Sequence, residues 1–253
     1  MTLNINRFSN LNLYTSAIAP LKNAPFFSGK DYSTGVTDTF AINSELAPYL
    51  STDAIKNMVA MNPKITKILI SKGIPLEINI KELNKLANGH LKKTKDITAG
   101  IIDNLPTEMK GNINRQATLQ AAMFHDFGKV LIPDKVLNKK GALNDKEREI
   151  MNIHSELGFE LLKTQNISPK ALELIKYHHQ NKTNTGYPEN QNGFEYGIES
   201  EIITLADKFS ALTEKRPYKP ALSEKEALAI IQEETGSSPI LDALIKFVTE
   251  KQT

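Results

Sequence analysis

From Ser51 onward, apolar residues recur at intervals of three and four, the spacing that lines one face of a helix. This periodicity predicts short helices over 51–61 and 62–73, the second closed by Gly73 and Pro75. A helix over 79–87 should be broken by Gly89, and another over 90–105 should stop at Pro106. Residues 115–126 read as a helix running into His125. Asn144 with Glu147 three residues on has capping-box spacing and opens a helix to about Lys163. Ser168 and Pro169 start a helix over 168–179. Residues 198–215 form a long helix, Ser223 and Glu226 box the start of 223–234, and the last helix spans about 239–250. Between 180 and 197 lies a polar loop, QNKTNTGYPENQNGFEYG, long enough to suggest a functional role. No strand alternation and no internal repeat occurs, so the fold class is all-α. Residues 1–43 are rich in Asn, Ser, Thr, Gly and Pro, carry no sustained period, and read as an irregular arm.

Composition narrows the picture. The 253 residues can bury a sizeable core in one domain, or in one plus a smaller unit. A net charge of +2, with no long basic run, argues against binding a nucleic-acid polymer. No apolar stretch reaches the roughly 18 residues a membrane span needs. The first residues, MTLNINRFSNLNLYTSAIAPL, lack the charged start and continuous apolar block of a signal peptide. A cytoplasmic protein without membrane contact is therefore expected. Cysteine is absent, so there is neither a disulfide framework nor a thiolate metal site. Any metal must be held by imidazole and carboxylate.

That last point turns attention to MFHDFGKVLIPD, where His125 and Asp126 end an apolar helical run. The chain has five histidines: His90, His125, His154, His178 and His179. His125 follows Ala121 by four residues and Ala122 by three. His154 follows Ile150 by four and precedes Leu157 by three. His178 follows Leu174 by four, and His179 follows Ile175 by four. Asp207 sits four after Ile203 and four before Ala211. These side chains share faces with core positions. Taken singly, each reads as a hydrogen-bonded core residue, Asp126 as a helix-terminal carboxylate and Asp207 as a buried ion-pair member. Taken together, burying each one independently would cost desolvation each time, whereas one or two shared cations would satisfy all of them. Imidazole and carboxylate without sulfur suit iron, manganese or zinc. So many groups exceed one tetrahedral shell, which favours two ions, an arrangement suited to phosphoryl displacement.

The blocks HDFGK, Asp134 after IP, IHSELG, YHH, TGYP, LADKFSAL and RPYK stand in an order that resembles the HD-GYP family of metal-dependent phosphodiesterases, a branch of the HD superfamily. The resemblance covers roughly residues 82–250. It implies an HD-domain helical bundle over 82–253, preceded by a small helical extension over 44–81 and the arm over 1–43. Carried over block by block, it places metal ligands at His125, Asp126, His154, His178, His179 and Asp207, with Asp126 bridging two divalent ions (iron or manganese, with zinc as a third candidate). His90 matches an upstream histidine that binds metal or phosphate, and Lys93 stands where many members have arginine. The resemblance makes Asp126 and Lys129 catalytic. Lys129, Gly186, Tyr187, Pro188, Arg216 and Lys219 become substrate-binding, with Lys129 on a phosphate oxygen, Tyr187 at the pocket rim, and Arg216 and Lys219 on the phosphates.

The implied activity is hydrolysis of a cyclic dinucleotide, cyclic di-GMP foremost, to the linear dinucleotide and GMP. An HD-type hydrolase of another nucleotide, and a non-catalytic nucleotide-binding signalling module, are the alternatives. A nucleotide-cyclase-type signalling partner meeting the GYP loop and a homodimer are compatible with it. Where trinuclear members carry a glutamate four residues before the upstream histidine, this chain has Leu86, so two ions are expected rather than three. The loop before GYP also departs: Gln180 replaces an acid, Thr183 an aspartate and Asn184 a glycine. Asn tolerates the left-handed conformation such a glycine supplies. GSSPILD near the C-terminus replaces a more usual G-T-x-F-D-P pattern.

Overall fold

The computed structural model describes residues 48–214 and 220–250, with the backbone alone at Asn88 and His90. The first helices are α1 (Thr52–Met61), α2 (Pro63–Ser71) and α3 (Ile80–Lys85). A wide π turn, Leu86–His90, passes directly into α4 (Leu91–Asn104). After the short α5 (Thr107–Lys110) comes α6 (Arg115–Phe124), then a 3-10 turn at Phe127–Leu131 and the short α7 (Asp134–Leu137). The remaining helices are α8 (Asp145–Asn152), α9 (His154–Leu162), α10 (Pro169–Tyr177), α11 (Ile198–Leu212), α12 (Glu224–Thr235) and α13 (Pro239–Glu250). Among the described residues there is no named strand, only an isolated antiparallel bridge between His179 and Tyr187. The helix starts follow local chemistry. Ser51, Asn62, Asn79, Asn114 and Ser168 each accept a backbone N–H from the first turn, and both capping boxes, Asn144–Glu147 and Ser223–Glu226, are closed.

Two expectations change. Gly89 does not end the helix: with φ +107 it sits inside the π turn, and the helical path continues through it. Only glycine adopts that φ without strain, and the wider turn absorbs it. The single helix expected from Asp145 to Lys163 is broken at Ile153, whose ψ of −7 bends the path before α9 begins at His154. Apolar periodicity cannot show this break, because the apolar stripe continues across it.

The buried side chains form two clusters. One joins Ile55, Ile65, Leu83, Leu91, Phe124, Phe127, Leu157, Leu161, Ile175 and Ile203. The other joins Ile97, Ile101, Ile202, Leu205, Phe209, Ile231 and Leu244. Helices α4 and α11 give residues to both, so they run between the two cores. The helices over 52–71 lie against α9. Asn62 Nδ2 donates to the Glu160 backbone carbonyl (2.8 Å) and to Glu160 Oε2 (2.7 Å). Lys64 and Lys163 pair with the same buried carboxylate at 2.8 and 2.6 Å.

The 3-10 turn is pinned from two sides. Asn79 donates its N–H to the Val130 carbonyl and its Nδ2 to the Ile132 carbonyl. On the other side, a Cβ on Gly128 would stand 1.9 Å from the His154 carbonyl oxygen and 2.5 Å from the Gly158 amide nitrogen, so the backbones touch there. Only glycine permits that approach. Among the described residues no helix is long and apolar enough to cross a membrane. The arm over 1–43, and the Arg216 and Lys219 positions, lie outside the described residues.

Candidate metal centre

Three of the histidines stand just past a helix end, and each uses that end in the same way. The last carbonyls of a helix have no intrahelical partner. His125 follows α6 and places Nδ1 2.8 Å from the Ala122 carbonyl oxygen. His154 follows α8 and places Nδ1 2.8 Å from the Met151 carbonyl. His178 follows α10 and places Nδ1 2.7 Å from the Ile175 carbonyl. A carbonyl only accepts, so Nδ1 must carry the hydrogen. In a neutral ring Nε2 is then a bare acceptor. A ring nitrogen oriented by a carbonyl at its far side is the usual arrangement of a metal-ligating histidine.

The bare atoms converge. His154 Nε2 lies 3.3 Å from His178 Nε2 and 3.2 Å from His179 Nε2. Asp126 Oδ1 lies 3.3 Å from His154 Nε2 and 3.9 Å from His178 Nε2. Between the bare acceptors of His154 and His178 no hydrogen bond forms. Ligand atoms around one ion at about 2.1 Å stand about 3.0–3.4 Å apart, so three of the four edges fit a cation between them and the 3.9 Å edge is longer. Burial and the neighbouring imidazoles keep His178 well below its ordinary pKa, and push His179 down to about 2. Both rings are therefore neutral, as ligands must be.

A second group shares one member with the first. His125 Nε2 is fully buried, makes no hydrogen bond, and lies 3.5 Å from Asp126 Oδ2 and 3.3 Å from Asp207 Oδ1. Asp207 comes from the middle of α11. The ligand atoms of Asp126, His154, His178 and His179 fall within 4.8 Å of one another, as do those of His125, Asp126 and Asp207. Asp126, buried at 4% exposure, thus turns one oxygen toward each group. Burial opposes charge on His125, but the two carboxylates outweigh it and push its pKa up to about 10. A cation held by this group would have to replace that proton on Nε2. Burial likewise opposes ionising Asp207, yet His125 holds its carboxyl down at about 2.

Lys129 closes the cluster. Its Nζ lies 2.5 Å from Asp126 Oδ2. The Asp126 and Asp207 carboxylates overcome burial and raise its pKa, so it stays an ammonium. Tyr187 covers the other side. Its ring lies 4.5 Å from that of His179 at 30°, and edge-on to His154 at 6.2 Å. Burial, followed by the two aspartates, pushes its hydroxyl pKa up, so it remains protonated. Gly186 permits this placement: a Cβ there would fall 2.1 Å from the His179 carbonyl oxygen. Asn184 takes φ +55, the left-handed conformation expected of it.

His125, Asp126, His154, His178, His179 and Asp207 therefore meet, with Lys129 and Tyr187 at their edge. Gly186 and Pro188 shape the turn that carries Tyr187. His90 lies in the π turn, where only its backbone is described. Sequence reasoning missed the helix-end carbonyls, the Gly128 contact and the bonds made by Gln180. A glycine three residues after a histidine was the available signal for the second of these.

The fold and the site together define a helical bundle that carries two histidine–aspartate ligand groups joined through one carboxylate. The chain belongs to the HD domain family, whose profile matches residues 78–243. It is similar to the cyclic di-GMP phosphodiesterase response regulator RpfG of Xanthomonas campestris pv. campestris, at 39% identity over 132 residues, 50% of this chain and 35% of that protein. It is also similar to a cyclic di-GMP phosphodiesterase of Thermotoga maritima, at 36% identity over 51% of this chain and 37% of that one. A 3'3'-cGAMP-specific phosphodiesterase 3 of Vibrio cholerae is 34% identical over 45% of this chain and 25% of its own length. The chain thus spans little more than a third of these relatives at most.

Proposed function

We propose that the protein is a metal-dependent phosphodiesterase that hydrolyses a cyclic dinucleotide, with cyclic di-GMP as the first candidate. The observation that carries this reading is the carboxylate of Asp126 set between two converging groups of histidine nitrogens and carboxylate oxygens. Membership of the HD domain family and the names of the relatives support the reaction class. In this reading His154, His178, His179 and Asp126 hold one divalent ion, and His125, Asp126 and Asp207 hold the other. The donor set, nitrogen and oxygen without sulfur, suits iron or manganese and also accepts zinc. When bound, such ions acidify water and draw charge from phosphoryl oxygens.

The chain's own groups do the rest. Lys129 presents a fixed ammonium beside Asp126, where it meets charge developing on a phosphate oxygen. Tyr187, kept protonated, offers a ring face to a base and walls the site from solvent. Arg216, Lys219 and His90 complete phosphate contact. The exposed rim Asn181–Thr185 is the surface a signalling partner of cyclase type would meet.

The test starts with protein purified without oxygen, analysed for bound metal, and incubated with cyclic di-GMP, 3'3'-cGAMP, cyclic di-AMP and a linear dinucleotide. Two ions per chain and cleavage of a cyclic dinucleotide are expected. Asp126→Ala should abolish turnover and reduce the content of both ions. Preferred cleavage of 3'3'-cGAMP would keep the reaction and move the substrate. Binding without cleavage by the fully loaded protein would sink the enzyme reading.

A further inference from the structure

The loop that carries Tyr187 departs from its family, and the structure shows what the departing residue does. Gln180 is 3% exposed, deep beside the ligand His179. Its carboxamide meets two opposite backbone groups of one turn. Oε1 accepts the Gly186 N–H at 3.2 Å, and Nε2 donates to the Pro188 carbonyl at 2.6 Å. Tyr187, between those residues, donates its own N–H to the His179 carbonyl at 3.3 Å. The turn is therefore clipped on both sides of the tyrosine by one side chain, and closed on the histidine by the backbone.

We infer that Gln180 is a positioning residue of the site: its carboxamide clips the turn that holds the Tyr187 ring against His179 and over the substrate pocket. An amide satisfies both groups at once. A carboxylate accepts from Gly186 N–H but has nothing to donate to Pro188, leaving a buried carbonyl facing a charge. An apolar side chain satisfies neither group. Outside the clip, Asn181 Oδ1 accepts the N–H groups of Thr183 and Thr185, so the outer half of the loop is held by a second, independent amide. This separates the two layers. Loss of Asn181 loosens the exposed rim, whereas loss of Gln180 loosens Tyr187.

The catalytic consequence rests on the phosphodiesterase reading, but the clip itself does not. The experiment compares wild type, Gln180→Glu and Gln180→Met in the metal-loaded protein. Backbone amide exchange is read at Gly186 and Tyr187, alongside KM and kcat on the cyclic dinucleotide. In Gln180→Met, exchange at both amides should quicken by about tenfold, the loss of one buried hydrogen bond. KM should rise by about the same factor while kcat changes by less than about threefold, because the ligands keep their helix-end anchors. Gln180→Glu keeps the acceptor, so Gly186 should stay protected while KM rises by a smaller factor. That variant also carries the test if Gln180→Met does not fold. Unchanged exchange at Gly186 and Tyr187 in Gln180→Met overturns the clip. Faster exchange with unchanged KM overturns its link to substrate. Should wild type cleave no cyclic dinucleotide, the phosphodiesterase reading falls, and amide exchange alone still decides whether Gln180 clips the turn.

Discussion

At the scale of single residues, the site depends on which atom each histidine is made to hold back. Nδ1 of His125, His154 and His178 is committed to a carbonyl, so Nε2 is the atom presented. Carbonyls at a helix end have acceptor capacity to spare, so the commitment takes no bond from the helices. Gly128 is the other single-residue requirement. It lets the turn after His125 and Asp126 touch the backbone at His154 and Gly158, which brings the two ligand groups within reach of one carboxylate. Gly128→Ala places a methyl 1.9 Å from a carbonyl oxygen that cannot move without displacing α9. We expect a loss of about 1–3 kcal/mol in urea unfolding, the usual range of overpacking. Metal content should fall with it. A Gly128→Ala variant with wild-type stability and full metal content would refute this account of the close approach.

At the scale of elements, the helix breaks and ends do the placing. At the interruption the Met151 carbonyl accepts from both the Ile153 N–H and His154 Nδ1, and α9 starts at His154 itself. Helix starts were legible in the sequence, because a cap and its partner are three residues apart: both capping boxes and the Ser168–Pro169 entry stand where expected. The break at Ile153 and the passage through Gly89 were not legible. They depend on carbonyls whose partners are a tertiary matter, and on a π turn that periodicity reads as an end.

Helices α1 and α2 are held to α9 by Glu160. Burial raises the pKa of this carboxyl, but Lys163, Lys64 and Asn62 outweigh it and hold the group below its ordinary 4.5. A depressed folded-state value means the stabilisation is full above about 4.5 and is lost as pH falls through the folded value. Glu160→Gln should therefore lower unfolding free energy by about 1–3 kcal/mol at pH 7. The gap from wild type should narrow as pH falls below about 4.5. A gap that stays constant with pH would show that the charge is not what anchors the pair of helices.

For the described molecule as a whole, the candidate ligands are drawn from ends and faces of α6, α9, α10 and α11, and from the turn after α6. Helices α6, α9 and α10 bury their apolar faces in one core, to which α11 adds Ile203, so the cluster is a product of how that core packs. A cation binding there favours the folded chain alone. At a hundred times its dissociation constant it should add about 2.7 kcal/mol of stability. Chelation should accordingly lower the melting temperature of wild type and leave that of Asp126→Ala unmoved. Equal responses of the two proteins would place the bound metal elsewhere.

The residues themselves determined the all-α class, the absence of sulfur ligands, and the identity of the six groups that meet. Periodicity and capping are local, and a histidine or aspartate on an apolar face betrays itself without a partner in view. Only the tertiary structure decided which Asp126 oxygen faces which group, that Nε2 is the presented atom, and that Gln180 holds the tyrosine turn. Each of these depends on distances between segments far apart in the chain, set by the packing of cores and by backbone groups whose partners no local pattern records.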